Sequence, residues 1–504
     1  MNKKELNDAL LKKFNLICFI DLADLRSQHR TVFDIFKKYR KDQFSPDDRL
    51  VFYSSYKPDQ DFLNHIQNAA SRIDISNFFI LIVCPFDITK ELELANKKIG
   101  YDHVVIKSIV ENLIDTEPFL ESKFSKYDSL CPFPFTQIDV EVDGNIKPCC
   151  KFKEVIGNIH DSTVLDVFAN DKIQKIRNQM IAGEKPASCR VCWENESTGT
   201  TSHRMHALAK HRDQLNEGWL DDPQVRIVNL APSSLCNFAC RICRPRLSTK
   251  LAVEELKFET DTTKQKKLKQ FINLGLNSTA GSKIVESFND LTEIENLHIL
   301  GGEPFLWPQL KDLIDFLIDR GLSKKIRLEL NTNGSQYPSD LVNLIIENFK
   351  FVEFLISIDN VKDRFELERG GKWEDVYQNI KKFSSLRSQN IIVKLAPAIN
   401  IQNLLYLNDI IELNNELSLD EIVWNYLESP KYLCIDNVTK NIKQLVHEKY
   451  RDHPTQELRS IAHRVLLSEP TNSYEFIKFM DQLDSRRGQN WRTTHRELAQ
   501  ALDK

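Results

Sequence analysis

Ser233-Ser-Leu-Cys236-Asn-Phe-Ala-Cys240-Arg-Ile-Cys243-Arg244 decides how the rest of this chain is read. Its three cysteines, separated by three and then two residues, follow directly on Val225-Arg-Ile-Val-Asn-Leu230, an apolar run that reads as a buried strand. On one short loop, three thiolates can hold three irons of a cubane cluster and leave the fourth iron without a protein ligand, open to a substrate or cofactor.

Outward from that loop, strand and helix alternate to about residue 430. The strands expected are Val225–Leu230, Leu297–Leu300, Ile326–Leu330, Val352–Ile358, Ile391–Leu395 and Glu421–Tyr426. Between them lie amphipathic helices such as Gln309–Arg320, Ser339–Asn348, Trp373–Leu386 and Leu404–Leu417. The units predict an α/β architecture, an open, partial (β/α)6 TIM-like barrel with its working groups at the C-terminal ends of the strands. Ser248–Asp290 reads as an insertion with few strand signals, and the tail from about residue 436 to 504 as charged helices packed around the outside.

Each strand end carries polar residues with an assignable task. The second ends Gly301-Gly302-Glu303-Pro304, two glycines that let backbone approach a ligand and a carboxylate that can accept from an ammonium group. The third ends Asn331-Thr332-Asn333-Gly334 and the fourth Ser357-Ile-Asp359-Asn360, partners for a ribose or an amino acid. Arg369 is placed to grip a carboxylate, and the fifth strand leads to Asn400. Taken singly, such turns are ordinary punctuation and helix caps; their ordered appearance behind a Cys-x3-Cys-x2-Cys loop is not.

Before the barrel, Cys131 opens a hairpin pattern around Asp143-Gly144 that closes on Cys149-Cys150. A helical piece from Ser162 to Ile181 follows, then Cys189-Arg-Val-Cys192, and a solvated connecting helix over residues 203–222. Four or five thiolates in two groups suit one metal centre, and their arithmetic serves a structural zinc ribbon as well as an iron-sulfur cluster. Residues 1–120 alternate apolar runs (Leu16–Asp21, Leu50–Tyr53, Phe78–Cys84, Val104–Ile106) with helical patterns, which predicts a small parallel α/β domain of unreadable task. Cys18 and Cys84 lie in its apolar runs and read as buried small hydrophobes.

The composition sets bounds. At 504 residues two to four domains are expected, here 1–120, 121–205, 206–435 and 436–504. A net charge of −4 with 28% charged residues excludes the basic excess of a nucleic-acid binder. Neither a signal peptide nor an apolar run of the roughly 18 residues a membrane span needs is visible, so a cytoplasmic protein with no membrane partner is expected. Of eleven cysteines, eight fall between Cys131 and Cys243 in tight groups, which in a reducing compartment argues for metal or cluster ligation rather than disulfides.

Residues 225 to about 430 resemble the radical S-adenosylmethionine (radical SAM) superfamily on the residues just quoted. The resemblance implies that Cys236, Cys240 and Cys243 hold a [4Fe-4S] cluster whose free iron chelates S-adenosylmethionine. It also implies that Gly301, Gly302 and Glu303 contact the methionine amino group, and that Ser357, Asp359, Asn333, Arg369 and Asn400 line the cofactor. One departure is that Ile242 stands where the family usually has an aromatic residue. The Cys131–Cys192 block resembles the SPASM and twitch modules that carry auxiliary clusters. The similarity implies a second [4Fe-4S] cluster on Cys131, Cys149, Cys189 and Cys192, with Cys150 an alternative ligand or a neighbour, although the block precedes the barrel where most relatives have it behind.

The activity then implied is reductive cleavage of S-adenosylmethionine to a 5′-deoxyadenosyl radical, which takes hydrogen from a peptide or small-molecule substrate. An electron donor of flavodoxin or ferredoxin type is implied, and a net oxidation or cross-link aided by the auxiliary cluster. Two rivals stand beside it: an epimerase in which Cys434 returns a hydrogen atom, against its reading as a buried cysteine, and a non-catalytic zinc-binding interaction scaffold.

Overall fold

In the computed structural model, residues 16–21, 49–54, 78–83, 129–197, 202–214, 218–277 and 279–502 are described. The first three segments are strands β1 (Leu16–Asp21), β2 (Arg49–Ser54) and β3 (Phe78–Val83), which form a parallel sheet in the order β2-β1-β3. The parallel N-terminal sheet expected from sequence is therefore present. The helices expected between its strands, the run Val104–Ile106 and Cys84 lie outside the described residues, and the surroundings of the Cys18 side chain are not among them either.

The strands that carry the cysteine loop and its neighbours are β7 (Ile227–Leu230), β8 (Asn296–Ile299), β9 (Arg327–Thr332), β10 (Phe351–Ile356), β11 (Ile391–Leu395) and β13 (Glu421–Ile422). They pair in parallel, each with the next. The alternation of side chains explains why. Val228, Leu230, Leu297, Ile299, Leu328, Leu330, Val352, Phe354, Ile356, Val393 and Leu395 are fully buried. The alternate positions Asn229, His298, Glu329, Glu353 and Lys394 make the opposite face polar. Parallel neighbours need long crossovers, supplied by helices Leu310–Asp319, Ser339–Asn348, Trp373–Ser385 and Leu407–Glu416. Each turns a buried apolar stripe inward, such as Leu313, Ile314 and Leu317.

Two local expectations are revised, and a third is borne out. Glu421–Tyr426 is not one strand: β13 stays on the barrel, while β14 (Asn425–Tyr426) pairs with β12 (Ala398–Ile399) in a separate two-stranded ribbon. Pro397, between β11 and β12, has no N–H to donate to the ladder, and β14 follows the bend by donating its Asn425 N–H to the Pro397 carbonyl at 3.0 Å. The helical piece from Ser162 to Ile181 is two helices, Val164–Ala169 and Asp171–Ile181, because Asn170 is extended. Its side-chain oxygen instead accepts the Lys172 and Ile173 N–H groups and caps the second helix. The insertion after the cysteine loop forms three helices, Thr249–Phe258, Thr262–Asn277 and Ala280–Ser287.

The cysteine-flanked hairpin is more tightly bound to the barrel than its sequence suggested. Strands β4 (Gln137–Val140), β5 (Asn145–Lys147) and β6 (Gly157–Asn158) form an antiparallel meander around Gly144, whose φ of +80° needs glycine. β4 in turn pairs in parallel with β7, so the meander extends the barrel sheet to nine strands in the order β13-β11-β10-β9-β8-β7-β4-β5-β6.

By packing, the chain falls into two units, residues 1–132 with 175–220, and 133–174 with 221–504. In the first, the helix His203–Gln214 is not simply solvated: Arg204 is buried, donates to the Leu130 carbonyl at 2.8 Å, pairs with Glu196 and lies over the Trp193 ring. In the second, the tail helices Lys440–Tyr450, Gln456–Leu467 and Tyr474–Arg487 share one core with the barrel's last loops. Tyr450, Phe476 and Trp491 join Leu367, Ile399, Ile401 and Leu405 there.

Candidate functional site

The loop carrying Cys236, Cys240 and Cys243 leaves the C-terminal end of β7, and the turn after β8 docks against it. The Gly302 N–H donates to the Ser233 carbonyl at 2.9 Å and the Glu303 N–H to the Leu235 carbonyl at 2.8 Å. A Cβ on Gly302 would stand 2.3 Å from the Leu235 oxygen, and one on Gly301, at φ +116°, 2.7 Å from the Ser233 oxygen. The sequence assigned these glycines to the close approach of a ligand. In the structure the group they approach is the backbone of the cysteine loop itself.

The Glu303 carboxylate, 2% exposed, gathers the ends of β8 and β9. It accepts the Thr332 hydroxyl at 2.8 Å, the Asn333 N–H at 2.7 Å and the Phe305 N–H at 3.3 Å. Asn333 reaches across to the loop, donating from Nδ2 to Asn237 Oδ1 at 3.0 Å and to the Cys236 sulfur at 3.8 Å. Burial pushes Glu303 up to about 7, against the pull of its donors. A carboxylate with a raised folded pKa contributes stability that is fully present below its unfolded value and lost as pH rises through about 7. For the cluster-free protein, the melting temperature of wild type should therefore fall between pH 5 and 7.5 relative to Glu303→Gln, with a slope of at most about 1.4 kcal/mol per pH unit. Parallel pH profiles for the two proteins would rule this out.

Arg369 ties the fourth strand end to the same place. Its Nη1 donates to Asp359 at 2.6 Å, its carbonyl accepts from the Cys240 thiol at 3.7 Å, and its buried Nε has no hydrogen-bond partner among the described residues. Burial works against the cation, yet Asp359 and the Cys240 and Cys236 thiols hold it above its ordinary range. Asp359 spends its other oxygen on the Ala398 N–H at 2.8 Å. Asn400 is fully buried and occupied within its own turn, donating to the Ala398 carbonyl and accepting from Gln402. Ser357 donates its N–H to the Thr332 carbonyl at 2.8 Å. Thus the structure brings Glu303, Asn333, Arg369 and Asp359 to the cysteine loop, while Asn400 and Ser357 are engaged in the surrounding backbone. Thr332 and Asn237 were not singled out from sequence, although both lie inside quoted motifs.

The donor set fits a cluster. Burial pushes Cys240 up to about 12 and Cys243 to about 11, raises Cys236 as well, and the thiols raise one another. Three coupled, buried thiols do not ionise together unless a cation joins them. Among the described residues no three His, Cys, Asp or Glu side chains form a group that could hold a single metal ion.

Of the other cysteines, Cys131, Cys189 and Cys192 belong to the first unit and Cys149 and Cys150 to the second. Cys149 and Cys150 directly follow the meander's second strand, where Lys151 pairs with Glu428 beyond β14. Cys434, 4% exposed between the core residues Leu433 and Ile435, donates its thiol to the Pro430 carbonyl at 3.4 Å. No helix among the described residues is long and apolar enough to cross a membrane.

Two family models match the chain. Residues 230–413 match the model of the Radical SAM superfamily, and residues 131–193 that of SPASM, an iron-sulfur cluster-binding domain. An S-adenosylmethionine-dependent nucleotide dehydratase of Psychrobacter lutiphocae is 27% identical over 169 residues, 32% of this chain. The match spans about half, 52%, of that relative's length. Among solved structures, anSMEcpe with bound AdoMet and a Cp18Cys peptide is 14% identical, with 45% of this chain and 59% of that one covered and a TM-score of 0.31. Streptococcus suis SuiB bound to S-adenosylmethionine is 12% identical, with 64% and 69% covered and a TM-score of 0.30. The chain thus carries a radical SAM domain over residues 230–413 with a SPASM iron-sulfur cluster-binding domain over residues 131–193 ahead of it, and the two domains imply a [4Fe-4S] cluster, S-adenosylmethionine and an auxiliary cluster as cofactors.

Proposed function

We propose that this protein abstracts a hydrogen atom from a peptide or small-molecule substrate and completes a net oxidation or cross-link with the aid of one auxiliary cluster. The observation that carries the reading is the convergence of Glu303, Asn333 and Arg369 on the loop of Cys236, Cys240 and Cys243. When bound, the cluster and S-adenosylmethionine supply one-electron cleavage of the sulfonium to methionine and a 5′-deoxyadenosyl radical.

The chain's own residues do the rest. Cys236, Cys240 and Cys243 hold three corners of the cluster. Glu303, poised to lose its proton near neutrality, accepts from the methionine ammonium, and Arg369 keeps donors for its carboxylate beyond the one spent on Asp359. Asn333 fixes Asn237 and Cys236. Gly301, Gly302, Ser357, Asp359 and Asn400 keep the strand ends in register around that pocket. Cys131, Cys149, Cys189 and Cys192 are the thiolates assigned to the auxiliary cluster, with Cys150 an alternative ligand or a neighbour; a complete thiolate set would favour receipt of the product electron over substrate binding.

Anaerobically purified protein should be brown and contain roughly eight irons per chain. Incubation with S-adenosylmethionine and a reductant should release 5′-deoxyadenosine. Colourless protein with stoichiometric zinc would return the interaction-scaffold reading. Against the epimerase reading stands the packed thiol of Cys434. Cys434→Ala should leave 5′-deoxyadenosine formation within about twofold of wild type, as for a surface-remote core cysteine. If that variant instead accumulated the radical on substrate without product, hydrogen return by Cys434 would be the better account.

A further inference from the structure

Arg241 sits inside the cysteine motif, between Cys240 and Cys243, and its guanidinium is fully buried against the C-terminal tail. Nη2 pairs with Asp484 and donates to Gln489 Oε1 at 2.8 Å, Nη1 points at the Met480 sulfur at 3.5 Å, and Nε donates to the Leu367 carbonyl at 3.1 Å. The Arg241 N–H donates to the Glu368 carbonyl at 2.7 Å, and the Glu368 carboxylate meets the buried His495 ring at 2.7 Å. Asp484 also accepts the Trp491 N–H at 2.5 Å. One turn along the same helix, Arg487 donates to the Ala239 carbonyl at 2.8 Å and to Glu254, on the helix that follows the loop, at 2.8 Å. Residues 239–241 are therefore gripped from two points by the helix Tyr474–Arg487.

None of these contacts involves a cysteine sulfur, and none belongs to the strand pairing of the barrel. A guanidinium buried this deeply is tolerable only while its carboxylate stays in place. The backbone on either side of Cys240 is thus set by residues 239 to 248 positions away in sequence. Partners outside the immediate ligands fix ligand direction, and their loss weakens metal retention by about tenfold to a hundredfold.

We propose that Asp484, acting through Arg241, and Arg487, acting through the Ala239 carbonyl, are positioning residues for the cluster of the cysteine loop, which makes the tail part of that centre. The inference rests on the reading of Cys236, Cys240 and Cys243 as cluster ligands.

The test uses anaerobically reconstituted full-length protein as wild type, Asp484→Asn, Arg487→Gln, Arg487→Lys and Arg464→Gln. Arg464 pairs with Asp436 in the same tail, away from the loop. Three quantities are read: the loss of visible absorbance to an iron chelator, resolved into its two phases; the EPR spectrum of the reduced protein with and without S-adenosylmethionine; and the melting temperature. Asp484→Asn and Arg487→Gln should speed one phase by about tenfold and leave the other unchanged. They should also alter the signal that responds to S-adenosylmethionine. Arg487→Lys should recover part of the loss, and Arg464→Gln should decay as wild type whatever its melting temperature. Wild-type decay in the first two variants, or equal acceleration in Arg464→Gln, overturns the positioning role. Should Asp484→Asn fail to fold, Arg487→Gln decides by the same criteria. Wild-type protein that takes up no iron removes the ligand reading instead.

Discussion

Cys240→Ala is expected to fold, to hold roughly four irons per chain in place of roughly eight, and to release no 5′-deoxyadenosine. Cys240 is the most deeply placed of the three thiols, beneath Arg369 and beside the Arg241 backbone. An alanine fills most of its volume, so the fold should lose no more than about 1 kcal/mol. The remaining irons should belong to the auxiliary centre, visible in the reduced EPR spectrum as a signal insensitive to S-adenosylmethionine. Turnover by Cys240→Ala at wild-type rate would exclude this loop as the seat of the chemistry.

Gly302→Ala is the second large effect. The added methyl would meet Leu235 O at 2.3 Å and the carbonyl carbons of Leu235 and Ser234 at 2.7 Å, all backbone atoms that cannot rotate aside. Either the turn after β8 or the cysteine loop must move by most of an ångström. Overpacking of this kind costs about 1–3 kcal/mol, and a displacement of that size at a reacting centre costs about a hundredfold in rate. Iron content separates two explanations. If Gly302 docks the loop, iron and activity fall together. If it only leaves room for a ligand, iron stays and the KM for S-adenosylmethionine rises.

The barrel was legible because period-two apolar runs and period-3.6 stripes alternate from Val225 onward, and each strand end carries a recognisable polar cluster. The revised elements fail for identifiable reasons. Pro397 splits the last strand's partner, and Asn170 prefers capping to helix interior. Among site residues, Cys236 was marked by its spacing and Glu303 and Asn333 by their places at the strand ends and by the family resemblance, and the structure brings them together. Asn400 had the right place in the series, but its amide is consumed within its own turn. Arg241 carried no signal at all, since its carboxylate partner lies 243 residues away and no local periodicity links the two.

The parallel pairing of β4 with β7 has a consequence for how this chain can be divided. Without the meander, β7 would present a row of unpaired N–H and C=O groups along the strand that leads into the cysteine loop. Open rows of that kind recruit strands from other molecules. The iron-sulfur module thus also shields the first barrel strand from self-association, and a barrel released from it would be driven toward aggregation before any question of catalysis arose.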